Sequence, residues 1–391
     1  MIKKIAYLLF FTILAASCTM NKSDKTNDKT DNDSLQSFGE MYMLVGTYTS
    51  NEGSKGIYLY KFDTDTGTSD SLSMVEVANP SYLVISPDEK FVYSVGENGP
   101  EESYAHSFSF DKGNNRLTLL NSQLTHGSSP AYITLDAKGN NVITANYGGG
   151  SISQFNVNRD GTLSPLTNLF QFTGSGRDST RQQKPHLHSV RYSPDGMYLF
   201  ATDLGTDKIY RYKSVHSVFE GQPALLQSDT AVFMTPAGTG PRHFDFHPNG
   251  LYFYLLGELS GEVIVYDYNM GDLQQKQIIL ADTVGARGSA DIHVSPNGRF
   301  LYASNRLEAD GIAIFKIDSQ DGTLTKVGYQ STAKHPRNFA ITPNGKFLLV
   351  AGRDDNVIQV YSIDKETGLL TDTHQDIVIN KPVCIKFTKL N

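Results

Sequence analysis

Arginine, histidine and glutamate collect at a few matched points of this 391-residue chain, where they could carry out acid–base chemistry on an anionic small molecule. Arg242, Arg306, Arg337 and Arg353 offer guanidinium groups, which bind carboxylate or phosphate in bidentate fashion and stabilise oxyanions. His188 and His243, with Glu97 and Glu258, offer groups that take up and return protons. His186 and Asp291 stand beside these points in the sequence. Hairpins do not need ionisable side chains there, so their grouping argues for a ligand.

The elements that must position them form a repeat. NPSYLVISPDEKFVYSVGE, KPHLHSVRYSPDGMYLFATDL, GPRHFDFHPNGLYFYLLGEL, SADIHVSPNGRFLYASNR and HPRNFAITPNGKFLLVAGR each read as an apolar run, a Pro-Asp/Asn-Gly type of turn, and a second apolar run. That is a β-hairpin pattern. SPAYITLDAKGNNVITANY is the same unit with Ala137 in place of the proline. The anchors Pro87, Ala137, Pro194, Pro248, Pro296 and Pro343 are 50, 57, 54, 48 and 47 residues apart. A further strand pair follows each hairpin, as in SISQFNVNRDGTL or GIAIFKIDSQDGTL. Four strands in about fifty residues is the arithmetic of a propeller blade. The chain enters at MYMLVGTYTS, a second strand with no first strand before it, and leaves at KPVCIKFTKL, a first strand with no second. The reading is therefore an all-β, seven-bladed propeller closed by the C-terminal strand pairing into the N-terminal blade.

Counting from each anchor places the ionisable residues. Position −6 holds Ser81, Ala131, His188, Arg242, Ala290 and Arg337; position −5 holds Tyr82, Tyr132, Ser189, His243, Asp291 and Asn338; position +10 holds Glu97, Tyr147, Leu204, Glu258, Arg306 and Arg353. In an unbroken antiparallel hairpin −6 and +10 are neighbours at the open end. In a propeller this end of the innermost strand surrounds one mouth of the central channel. The pairing sets Arg242 beside Glu258 and Arg337 beside Arg353, and two adjacent guanidiniums ask for an anion between them. The longest interval adds QFTGSGRDSTRQQKPHLH, with Arg177, Arg181 and Lys184. This loop reads either as a lid or clamp over the mouth or as a plain surface insertion, and the sequence leans to the second. Arg287 in LADTVGARGSAD is placed similarly, with weaker support.

Composition excludes several classes. A net charge of −7 with no basic run makes a poor nucleic-acid binder. The absence of tryptophan removes the Trp-Asp propeller signature. No P-loop, dinucleotide fingerprint, HExxH or Gly-x-Ser-x-Gly elbow is present. The calcium-like run at Asp63–Gly67 recurs as a turn at Asp364–Gly368 and Asp318–Gly322, so no metal and no cofactor are expected. Lys3 and Lys4 precede an apolar run from Ile5 to Ala16, and Leu14-Ala15-Ala16-Ser17-Cys18 resembles a lipobox. Residues 1–17 thus read as a lipoprotein signal peptide, Cys18 as the lipidated residue, 18–39 as a polar tether and 40–391 as the propeller. The expected protein is exported to a bacterial cell envelope, held to its membrane by the N-terminal lipid alone, and monomeric. Cys384 is then the one free thiol.

KPHLHSVRYSPDG, GTGPRHFDFHPNG, GELSGEV and SADIHVSPNGRFLYASNR resemble the seven-bladed propeller lactonase family, which includes bacterial 6-phosphogluconolactonases and fungal 3-carboxy-cis,cis-muconate lactonising enzymes. The resemblance runs from about Met41 to the C-terminus. It implies catalytic roles for His188 (or, less readily, His186), Arg242, Glu258 and Arg306, and leaves Glu97, His186, His243, Asp291, Arg337 and Arg353 to bind substrate. Gly257, Asp291 and Gly352-Arg353 depart from the family's usual residues beside the site and bear on the substrate more than on the reaction class. The implied function is metal-independent hydrolysis of a sugar-acid lactone, an anionic partner, at the channel mouth. A muconate-type cycloisomerase and a non-catalytic ligand- or protein-binding propeller are the alternatives.

Overall fold

A computed structural model describes residues 38–215 and 225–390. The leader, Cys18 and most of the tether lie outside the described residues. All the regular structure described is β-strand, in seven antiparallel sheets. Six sheets are built from consecutive strands and are blades two to seven. They open with Leu83–Ile85, Pro130–Leu135, Leu187–Tyr192, Pro241–Phe246, Ser289–Val294 and Pro336–Ile341. Blade one is composite: Pro382–Lys389 pairs with Glu40–Thr47, which continues to Gly56–Asp63 and Ser69–Glu76. The seven opening strands touch one another in order, and Pro382–Lys389 touches both Pro336–Ile341 and Leu83–Ile85. The ring is thus closed by the two termini, as the repeat arithmetic predicts.

Burial explains the apolar runs. Hydrophobic side chains fill the gaps between adjacent blades; between blades four and five, Phe200, Phe244, Phe253 and Tyr266 form one such layer, with Phe244 stacked on Phe253 at 4.7 Å. Among the described residues, five outer turns also dock on the preceding blade through a glycine. Gly322, in the Asp318–Gly322 turn, has φ of +72°, and its carbonyl accepts a 2.9 Å hydrogen bond from Tyr254 of the blade before. A Cβ there would lie 2.5 Å from the Tyr252 ring. The same fit pairs Gly161 with Phe91, Gly271 with Tyr198, Gly368 with Phe300 and Gly67 with Phe347. All five aromatics stand four residues after their hairpin anchors.

The register departs from an unbroken hairpin at the place that matters. Six of the seven opening strands have their register shift at or beside −6: at Ala131, His188, Arg242-His243, Ala290-Asp291, Arg337 and, in the closing strand, Val383. Inside the shift −5 already faces +8, one place off the expected pairing, and the skipped residue adds another, so +10 faces −8, as in the 2.8 Å bond from the Glu258 amide to the Gly240 carbonyl. A bulge sets two residues against one and re-aims their side chains. Neighbours in a regular strand point to opposite faces. Here Arg242 and His243 line the same cavity, as do Arg337 and Asn338.

Candidate active site

One cavity lies at the channel axis, lined by Ser81, Ala131, His188, Arg242, Arg337 and Val383 from the bulged layer and by Tyr82, His243 and Asn338 from the next. Every blade but the sixth supplies a wall residue, and the sixth contributes from behind: the Ala290 carbonyl accepts a 2.5 Å bond from Arg242. Around this layer Ser81, Ala131, His188, Arg242, Ala290, Arg337 and Val383 follow one another, so small and bulky side chains share it.

Glu258 is the electrostatic hub. Its carboxylate meets Arg181 at 2.6 Å, Arg242 at 2.9 Å and Arg306 at 3.3 Å, almost wholly out of solvent. Burial alone would raise its pKa, but the three guanidiniums outweigh it and bring the group down to about 2. Glu258 is therefore a fixed anion that holds arginines in place. Arg181 comes from the loop between blades three and four, and Arg287 of the blade-six entry loop pairs with Asp178 of that same loop. Two ion pairs thus fasten the segment over the mouth, which favours the clamp over the plain insertion.

Arg337 and Arg353 do not stand as a bare pair. The bulge turns Arg337 toward Glu97, 3.5 Å away, and over the Tyr48 ring, while Arg353 binds Asp354 at 2.7 Å. Each guanidinium has its own carboxylate, so no anion is required between them. The Tyr48 hydroxyl donates to Glu97 at 2.8 Å. His335 sits between Arg306 at 3.3 Å and Arg353 at 3.1 Å. Tyr48 and His335 are site residues missing from the sequence alignment. Tyr48 is the +10 residue of the composite blade, since its amide bonds Lys381 as the other +10 amides bond their −8 partners. Carrying the +10 column across the ring closure would have found it. His335 occupies −8, a column not read.

The histidines separate into three environments. His186 is half-buried at the rim, stacked on Tyr147 at 4.5 Å with its Nδ1 on the Tyr147 carbonyl. His188 is buried, its ring 5.1 Å from that of His243, and its Nδ1 has no hydrogen-bond partner. His243 bonds Asp291 through Nδ1 at 2.7 Å, and its buried Nε2 has no partner. Burial and then Arg242 lower both imidazoles, His243 to about 3, so both are neutral near pH 7. Among the described residues no group of three or more His, Cys, Asp or Glu is arranged to hold a metal ion.

Two unpartnered imidazole nitrogens facing guanidinium groups inside a seven-bladed ring invite comparison with known proteins. Residues 42–387 match the family described as lactonase, 7-bladed beta-propeller. The chain belongs to that family. A 6-phosphogluconolactonase of Formosa agariphila is 39% identical over 348 residues, covering 86% of this chain and 97% of that protein. A crystal structure described as a periplasmic gluconolactonase of Pseudomonas aeruginosa is 33% identical with a TM-score of 0.83, covering 90% of this chain and all (100%) of that one. A Bacteroides fragilis structure, provisionally described as a 6-phosphogluconolactonase, is 50% identical with a TM-score of 0.87 over 94% of this chain and 100% of its own. The seven-bladed propeller expected from the repeats is the fold of this family.

Proposed function

We propose that this propeller hydrolyses a sugar-acid lactone at the mouth of the central channel, over the axial cavity, in the manner of a 6-phosphogluconolactonase. The observation that carries the reading is the cavity itself: neutral imidazoles of His188 and His243 with free nitrogens, facing the guanidiniums of Arg242 and Arg337. Ester hydrolysis needs a base to deprotonate water and a positive field for the oxyanion of the tetrahedral intermediate. Arg242, fully buried and braced by Glu258, supplies that field without having to reorganise. Arg306 keeps Glu258 in place from the other side, and Arg337, which lines the cavity with Arg242 and has Glu97 only at 3.5 Å, is the guanidinium left to meet a carboxylate or phosphate of the substrate. The names of the relatives support a lactone of the gluconic type. The reading further includes a lipoprotein leader over 1–17 with Cys18 lipidated, a tether to residue 39, action as a monomer, and an exported location. The last is supported by the periplasmic description of the Pseudomonas relative.

The test is a pH-stat assay of the full-length chain and its R242K and C18S variants on phosphorylated and unphosphorylated aldonolactones, with envelope fractionation. Acid release in the membrane fraction is expected, about 10²–10³-fold slower in R242K because the rigid fork is lost, and shifted to the soluble fraction by C18S. Substrate consumption without acid release would mean isomerisation. Binding without turnover, or R242K at the natural rate, would defeat the assignment.

A further inference from the structure

We infer that His243 is the general base of the reaction, held by Asp291 as the Nδ1–H tautomer so that its Nε2 lone pair faces the cavity. This rests on the lactone hydrolysis proposed above and chooses between its two imidazoles.

The choice follows from what stands behind each ring. Asp291 accepts the His243 Nδ1–H at 2.7 Å, and four other donors fix that carboxylate: the Ile292 amide at 3.1 Å, His293 Nε2 at 3.0 Å, Asn338 Nδ2 at 2.5 Å and the Phe339 amide at 3.3 Å. A carboxylate with five donors can neither rotate away nor take up a proton cheaply. It is 1% exposed, and burial's upward pull on its pKa is outweighed by His293 and His243, which hold it well below the usual range. His293 bonds the other oxygen of Asp291 from the one that His243 bonds, and lines a second cavity. Burial works against its charged form, yet Asp291 and Asp245 raise it to about 9. Asp291 therefore lies between a neutral imidazole and a cationic one. His188 has no such partner: its Nδ1 is unbonded, and rings of Tyr147 and His243 are its aromatic neighbours. Besides Asp291, the groups that face His243 are Arg242 and Arg337, His188, and the edges of Tyr132 at 5.3 Å and Tyr82 at 6.0 Å. The two cations keep the ring neutral at rest, and Asp291 stabilises the imidazolium once it forms.

The step balances on this one residue. The water oxygen bonds to the lactone carbonyl carbon as its proton passes to His243 Nε2, and the carbonyl electrons move to the oxygen held by Arg242. The oxyanion then collapses, the ring C–O bond breaks, and the same Nε2–H protonates the departing ring oxygen. The product acid ionises and releases its proton to solvent.

Kinetics of H243Q, D291N and H188Q from about pH 6 to 10, on a lactone the natural chain hydrolyses, test the assignment. H243Q and the isosteric D291N are expected to lose kcat by about 10²–10⁴-fold with KM within a few-fold. Their residual rate should rise about tenfold per pH unit as hydroxide replaces the missing base. The natural chain keeps a pH-independent plateau, and H188Q, which alters the cavity wall but leaves the base, is expected to lose rate while keeping that profile shape. A purely structural role for either residue would not change that slope. D291N preserves side-chain volume, so it carries the same readout if H243Q fails to fold. A plateau retained in H243Q or D291N overturns the base assignment and leaves hydrolysis standing. Absence of acid release by the natural chain overturns hydrolysis itself.

Discussion

Glu258 is outnumbered three to one by arginines within 3.3 Å, and almost no solvent reaches it. Such a carboxylate is held ionised by its cations and is a poor proton acceptor, although its family position suggests proton transfer. Its pKa is depressed in the fold to about 2 from 4.5. The stability it contributes is therefore complete above about pH 4.5 and is lost as pH falls through about 2. Replacing it by E258Q leaves buried guanidiniums uncompensated, which costs about 3–5 kcal/mol. Urea titrations at a series of pH values should find the full gap between E258Q and the natural chain at neutrality, closing toward pH 2. A gap independent of pH would contradict the ion network. At this scale the sequence showed which residue types gather but not how they pair. The bulge moves +10 opposite −8, and from that shift come the separate partners of Arg337 and Arg353. The signal was present: Arg242-His243 breaks the in–out alternation of the strand GPRHFDF.

At the scale of elements, the hairpins and their turns were legible because each local preference agrees with the fold: apolar alternation, a Pro-Asn-Gly turn, and glycine where φ is positive. The docking of these five outer turns on the previous blade was not, because it joins residues far apart in sequence, 68 apart in the case of Tyr254 and Gly322. Gly322→Ala meets both a left-handed backbone at φ +72° and the face of Tyr252. We expect a loss of about 2–4 kcal/mol from strain and overpacking together. Thermal melts should show it as a fall of several degrees with kcat unchanged, since the turn lies at the rim. An unshifted melting temperature would mean that the turn moves aside freely. Arg181 is the counter-example, where an irregular loop gave no periodic clue and its ion pair with Glu258 emerges only in three dimensions.

For the whole molecule, closure by the termini was readable from two half-blades that complement each other. Its energetic weight follows from register: seven residues, Met41 to Thr47, pair with the closing strand, and Val383 of that strand lines the axial cavity. Deleting residues 382–391 leaves Glu40–Thr47 as an unpaired edge whose side chains, apart from Glu40, are buried in the intact ring. An open hydrophobic edge is an aggregation template. Size-exclusion chromatography should find the truncated chain aggregated and without lactonase activity. A monomeric, active truncation would show that six blades hold the cavity unaided.

The turn-to-aromatic contact has a further meaning. Among the described residues five junctions use one fitting, so around the circumference those blades are interchangeable parts, and a defect in any of those joints should weaken the ring to a similar degree. Along the axis no two adjacent parts match: serine, alanine, histidine, arginine, alanine, arginine and valine follow one another around the bulged layer. Copying a blade would preserve every joint it makes and still alter the lining. Duplication can therefore supply the frame, but only substitution at individual bulges can set the chemistry.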